Sequence, residues 1–343
     1  MIPRRVKIAI LLAFICHGVF ILTARYRLSY DAFTHMLFAD HYARDWFSLW
    51  ETRWYTGFEV VSYPPLTHQL IALFSFALGF EKAYALILWI VTTLFPLGIY
   101  AFSRVFAGRN ASSYAAIASA LLLPIYITAH IFGQLPFLAA TLLALFGAAA
   151  LARYLREGGA HNFLLAVSIA VTTMAAHHAT LMIQPFFFLA VIVKEISKDN
   201  WKIILARASS FILFAIPLSL AVIWPFWQWG MGQQMQTPID HLSRHNFFVN
   251  PLAAQIFFWP FYLPIGAIIP FVFIKWGKKF LGLQLSFVAL FILGLGGTTP
   301  LPALLFGQGW EWLTYDRFVF WATLTLLPFF GILYTKFRHR MTT

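Results

Sequence analysis

The segment Ser29-Tyr30-Asp31-Ala32-Phe33-Thr34-His35 sets a carboxylate and an imidazole four residues apart. On a helix, residues at that spacing share a face and reach the same ligand. A carboxylate so placed can take the proton of an attacking hydroxyl. If the helix continues, Asp40 points away, nine steps of ~100° from Asp31, and Asp45 returns to the Asp31 face about 21 Å farther along. A second acid working with Asp31 must then come from elsewhere in the chain, and Glu59 and Asp316 are the candidates. No DxD, HExxH, GxGxxG or phosphate-loop pattern occurs, so nucleotide-binding and zinc-hydrolase chemistry has no residues to rest on.

The elements that must position these groups are apolar helices. The chain has 343 residues, 61% hydrophobic and 10% charged, with a mean hydropathy of +0.76. A soluble domain carries roughly 25% charged residues, so a water-soluble globule, a disordered tail and a coiled coil are excluded. Apolar runs approach the ~20 residues that cross a bilayer. Ten spans are expected, near 6–23, 83–103, 112–130, 135–152, 162–177, 179–193, 204–224, 253–274, 281–297 and 318–335. The basic start MIPRRVK precedes an apolar run with no small-residue cleavage site, which reads as a retained first span. The lone cysteine, Cys16, excludes a disulfide framework and a cysteine metal site.

The net charge of +12 sorts by side. With both termini cytoplasmic, most of the 24 Lys and Arg fall on the cytoplasmic face, with only Glu157, Glu195 and Asp199 of the 12 acids. This is the positive-inside pattern, so the charge is an orientation signal and no nucleic-acid partner is expected. The functional face is then the external one, at the plasma membrane. It carries the 24–82 segment with half of the acids, histidines 35, 41 and 68, and a run of aromatics through Trp46, Trp50, Trp54, Tyr55, Phe58 and Tyr63. Its last part, 66–79, is short for a span and reads as a re-entrant or interfacial helix after the Tyr63-Pro64-Pro65 stop. External turns add His130 and Gln134, the pair His177-His178, and Asp316-Arg317. A polar loop at 225–252 holds Arg244 and His245. Charge is almost absent from span interiors, with His17 the main polar exception.

The motifs YDAFTH (30–35), WYTGFEVVSYPPLTHQL (54–70), GTTPLP (297–302) and LTYDRFVFWA (313–322), in that order after a basic tail and a first span, carry a resemblance. The chain resembles the GT-C superfamily of membrane glycosyltransferases that use polyprenyl-phosphate sugars. Within it, the chain is most similar to the prokaryotic membrane family labelled "6-pyruvoyl-tetrahydropterin synthase-related", a label that implies no pterin chemistry. The resemblance implies an all-α fold in one membrane domain, 1–343. Residues 1–224 would form a GT-C-like module with a helical external loop at 24–82, and 225–343 a loop plus variable C-terminal helices. It implies transfer of a sugar from a polyprenyl-phosphate donor to a lipid, glycan or protein acceptor, with inversion. Asp31 would be the base. His35, Glu59, Tyr63, His178, Arg244, His245 and Arg317 would contact substrate, the cations facing the phosphate. The acidic pair that oligosaccharyltransferase-like members carry after the third span is replaced by His130-Ile131-Phe132-Gly133-Gln134. That favours a metal-independent reaction, while the histidines leave Mg or Mn open.

Plainer readings compete with each of these roles. Asp31 suits a helix N-cap, His35 interfacial packing, and His177-His178 a solvated helix end. Arg317 suits a snorkelling arginine, Arg244 and His245 a solvated loop, and Tyr63-Pro64-Pro65 a rigid turn. At the level of function, the alternatives are a flippase or transporter of a lipid-linked sugar, and a non-catalytic scaffold in envelope polysaccharide assembly.

Overall fold

The computed structural model describes residues 2–54, 56–232, 239–263, 265–274 and 277–342. Tyr55 of the aromatic run, Lys275 and part of the 225–252 loop lie outside the described residues.

Helix α1, Arg4–Leu22, buries Val6, Ala9, Ala13, His17 and Ile21 at helical intervals and turns Leu11, Ile15, Val19 and Leu22 outward. That outward apolar face needs lipid, since water would penalise it. The chain then reverses at Ala24, in the left-handed region at φ 56°, and passes one 3₁₀ turn into α2, Ala32–Arg44. A two-stranded hairpin follows, β1 (Trp50–Glu51) against β2 (Phe58–Glu59), with Trp50 opposite Glu59. Helix α3, Leu66–Leu78, starts directly after Pro64-Pro65 and stops at Gly79, whose φ is 76°. Its 13 residues reach only ~20 Å, too short for the ~30 Å hydrocarbon core. Its inner face carries Thr67, His68 and Ser75, and Leu73 and Phe76 face outward.

Helix α4, Phe80–Phe106, packs on α1, on α5 (Arg109–Ser119) and on α7 (Leu135–Glu157). Between α5 and α7 lie the short α6, Leu123–Tyr126, and a π-helical turn, Ile127–Phe132. Helices α8 (Ala160–Ala176), α9 (Thr180–Glu195) and α10 (Trp201–Gly232) follow. After the loop come α11 (Pro251–Phe257), α12 (Trp259–Tyr262), α13 (Ile269–Val272), α14 (Leu281–Gly294), α15 (Leu301–Phe306) and α16 (Asp316–Thr342). Helix α16 is the central staple. Trp321 is fully buried and donates its indole N–H to Thr141 Oγ1 on α7 at 3.0 Å. Farther along, a side chain at Gly331 would meet the carbonyl of Ala111 at 2.1 Å, so only glycine lets α16 cross α5 this closely.

The chain is a mostly helical, polytopic membrane protein. Among the described residues five helices are long and apolar enough to cross a bilayer: Arg4–Leu22, Phe80–Phe106, Leu135–Glu157, Trp201–Gln228 and Asp316–Met341. Two bent pairs, Arg109–Ser119 with Leu123–Phe132 and Pro251–Tyr262 with Ile265–Val272, raise the count to seven. The three other expected spans, 162–177, 179–193 and 281–297, fall on helices of 17, 16 and 14 residues, below the ~20 of a full crossing.

Candidate functional site

Asp31 is held by its backbone. The amides of Tyr30 and Asp31 donate to the carbonyls of Ile131 and Phe132 at 2.9 and 3.0 Å. Those carbonyls end the π turn, where no further helix consumes them. The next residue, Gly133, has φ 73°, and a Cβ there would lie 2.6 Å from Ser29 Oγ and 3.1 Å from the Asp31 nitrogen. Glycine is therefore required where the two segments touch. Asp31 does occupy the N-cap position of α2, and its carbonyl accepts from the His35 amide at 3.0 Å. Its carboxylate makes no capping bond, which leaves the acid available to a ligand.

The start of α16 brings a second acid and a cation to the same place. Asp316 is 3% exposed; its Oδ2 accepts from Gln134 Nε2 at 3.3 Å and, among the described residues, its Oδ1 has no partner. The Arg317 guanidinium sits over the Phe137 ring at 5.8 Å, and its Nε is buried without a partner. Arg317 acts electrostatically on Asp31, His35, Tyr63, His177 and His178. Among the described residues neither Asp31 nor Asp316 lies within ion-pair distance of it. Burial pushes the Asp31 carboxyl up to about 6; Arg317 opposes that rise and Asp316 adds to it.

Four imidazoles and a phenol complete the wall. His35 Nδ1 and His68 Nε2 are 3.1 Å apart, and Tyr63 meets His35, His68 and His177 edge-on at 5.1, 5.7 and 5.6 Å between ring centres. Burial drives His35 and His177 well below the ordinary histidine range and lowers His178 to about 4, with Arg317 pushing the same way on all three. These rings are neutral at pH 7, and Arg317 is the fixed positive charge. Among the described residues, His35 Nε2, His177 Nε2 and His178 Nδ1 are buried without partners. Together Asp31, Arg317 and these imidazoles offer an acceptor, a cation and N–H donors that can hydrogen-bond a polar ligand.

Of the residues singled out in the sequence, Asp31, His35, Tyr63, His178 and Arg317 meet here. Three do not. Glu59 sits half-buried in β2 and is not among the charges acting on Asp31, His35 or Tyr63. His245 Nε2 faces Asp240 at 3.0 Å and its Nδ1 faces Asn250, while Arg244 donates to the Ile239 carbonyl. Asp316, the other candidate second acid, is the one that acts on Asp31, and His68, His177 and Gln134, noted in the sequence without a site role, join it. His177 is 1% exposed, which overturns its reading as a solvated helix end. The tract signal was present in YPPLTH and in the doubled histidine, but which rings turn inward depends on packing.

An apolar groove of about 380 Å³ is lined by Phe247, Phe248, Pro251, Phe258, Trp259 and Leu295 among others. Phe247 and Phe258 belong to a cluster packed on Phe132, whose carbonyl holds Asp31. Among the described residues no group of three or more His, Cys, Asp or Glu is arranged to hold a metal ion.

Fold and site define a polytopic helical membrane protein with a buried, incompletely paired charge cluster at one end of its bundle. No family model matches the chain, and no curated protein matches it.

Proposed function

We propose that the protein is a GT-C-type integral membrane glycosyltransferase of about ten spans, counting the three shorter helices, acting at the external membrane face with both termini cytoplasmic. It moves a sugar from a polyprenyl-phosphate donor to a lipid, glycan or protein acceptor. The observation that carries this reading is Asp31: an accessible carboxyl with a raised proton affinity, facing a guanidinium that it does not neutralise. A structural acid would be paired.

The acceptor hydroxyl attacks the anomeric carbon, and its proton passes to the Asp31 carboxylate. The new carbon–oxygen bond forms as the bond to the phosphate oxygen breaks, with inversion. The departing lipid phosphate gathers negative charge, which Arg317 and the N–H groups of neutral His35, His177 and His178 stabilise. Tyr63 offers a ring face for the sugar. The apolar groove on Phe132 suits a prenyl chain. Groups of this kind contribute about 10²–10⁴ each when they act in the transition state.

The test is turnover of a panel of radiolabelled polyprenyl-phosphate sugars with a membrane-lipid acceptor extract, by purified wild type and Asp31→Asn in nanodiscs. One donor consumed by wild type and not by the variant supports the reading. Donor binding without turnover in either protein, together with movement of donor across a liposome membrane, would replace it with a flippase. Absence of binding across the panel would leave the scaffold role.

A further inference from the structure

The opposite end of the bundle holds a second unbalanced cluster, of one sign. A cavity of about 530 Å³ is lined by Pro3, Arg4, Arg5, Ile8, Arg109, Asn110 and Ser113, where the start of α1 meets the start of α5. Several other cations at this end are internally satisfied. Arg153 pairs with Glu157 at 2.9 Å, Arg156 and Lys194 share Glu195, and Arg207 donates to the carbonyls of Leu155 and Arg156. Glu157 and Glu195, two of the three acids on this side, are thus consumed away from the α1–α5 corner.

Among the described residues Arg4, Arg5 and Arg109 pair with no acid. Arg5 is instead oriented by neutral groups: it donates to Asn110 Oδ1 at 3.2 Å and lies over the Tyr114 ring at 4.8 Å. Arg338 comes to the same ring from α16 and donates to the Tyr114 hydroxyl. The first turn of α5 has no acid and its N-cap is Gly108, so nothing there offsets the positive end of the helix dipole. Like charges crowded in a partly enclosed space repel, and an anion relieves them.

The geometry points to a binding site for the phosphate-bearing headgroup of an anionic membrane lipid, held by Arg4, Arg5 and Arg109. The lipid source, as against free phosphate, follows from what adjoins the cavity. Ile8 forms part of its wall, and Leu11 and Ile15 continue as an exposed apolar face along α1, in line for an acyl chain. Basic pockets at helix ends are the usual seat of such headgroups. This assignment is independent of the transferase reading.

The experiment is native mass spectrometry of the full chain in detergent, titrated with phosphatidylglycerol, phosphatidylcholine or inorganic phosphate. Wild type is expected to retain phosphatidylglycerol well above phosphatidylcholine. Each arginine removed is expected to cost about fivefold in retention, hence about 25-fold for Arg5→Gln with Arg109→Gln and about fivefold for Arg4→Gln. Arg4 is exposed at the first turn of α1, so that single variant keeps the fold if the double one does not. Arg153→Gln removes the same charge from a paired site and is expected to change nothing. Equal retention of the two lipids by wild type overturns the proposal, as does an equal loss in Arg153→Gln. Inorganic phosphate binding as tightly as the lipid would also overturn it, by removing any role for the acyl chain.

Discussion

Two charge clusters flank α2, and they are built on opposite principles. On the hairpin side Glu51 is 1% exposed yet saturated: Arg53 and Arg44 donate to it at 2.9 and 2.7 Å, and His41 lies 3.3 Å away. Asp40 completes the network by pairing with Arg53. Hydrogen bonds from Arg53, then Arg44, hold the Glu51 carboxyl well below the ordinary range. At the other end of the same helix Asp31, Asp316 and Arg317 share a space without an ion pair, and unpartnered nitrogens surround them. The first cluster has spent its polar capacity on the fold. The second keeps its capacity unspent, at a cost in stability that structure alone does not require.

That contrast breaks first at Asp31. Asp31→Asn is expected to lower turnover of the donor by about 10³, with unchanged helical content by circular dichroism. Loss of less than tenfold would remove the proposed base. Arg317→Gln comes next, at about 10² in kcat/KM. Arg317→Lys is expected to recover little, because a lysine loses both the planar fork and the seat on Phe137. Full activity in Arg317→Lys would reduce Arg317 to a generic positive charge.

The placement of Asp31 was readable because the signal is local: an acid beyond an apolar run, four residues before a histidine. The sequence offers Asp316 and Glu59 equally as its partner, and the choice between them depends on α16 docking against the turn at Gly133. The positive φ of Gly133 and the Gln134 bond to Asp316 leave no periodic trace in the sequence. The doubled histidine read as solvated because imidazoles usually are, and only the packing of His177 against Tyr63 and Phe137 buries it. His17, the main polar exception among span interiors, is buried with its Nδ1 2.8 Å from His130 Nε2. Span number was the least legible feature. Apolar runs mark which segments enter the bilayer, but breaks at His177 and around the π turn decide where each helix ends.

Stability separates the clusters with opposite signs. Glu51 has a depressed folded pKa, so its contribution is present above the unfolded value and lost as pH falls. Glu51→Gln is expected to destabilise by about 2 kcal/mol at pH 7, read as a lower Tm with donor binding retained at low temperature. Asp31 has a raised folded pKa, so ionising it costs stability, fully so above about 6. Asp31→Asn is therefore expected to leave stability unchanged or raise it by up to about 2 kcal/mol, read as an equal or higher Tm. A drop in Tm for Asp31→Asn as large as that for Glu51→Gln would make both acids structural. The pH profile follows the same logic. The base must be ionised, so kcat/KM is expected to rise with pH through about 6. Arg317→Gln should move that midpoint up and Asp316→Asn should move it down, each residue's charge acting on Asp31 as described. A midpoint indifferent to both would place the titrating group elsewhere.

The smallest effects are expected where the sequence pointed and the structure did not gather. Glu59→Gln and His245→Ala should each leave kcat/KM within about twofold, since a surface substitution away from the reacting groups changes little. His245 has its ring nitrogens directed at Asp240 and Asn250, and Glu59 lies in a hairpin whose other acid, Glu51, already absorbs the nearby arginines. A tenfold rise in KM alone for His245→Ala would mean that the 239–250 loop closes over the donor. The line between spent and unspent charge would then have to be redrawn to include a pair, Asp240 with His245, that opens when substrate arrives.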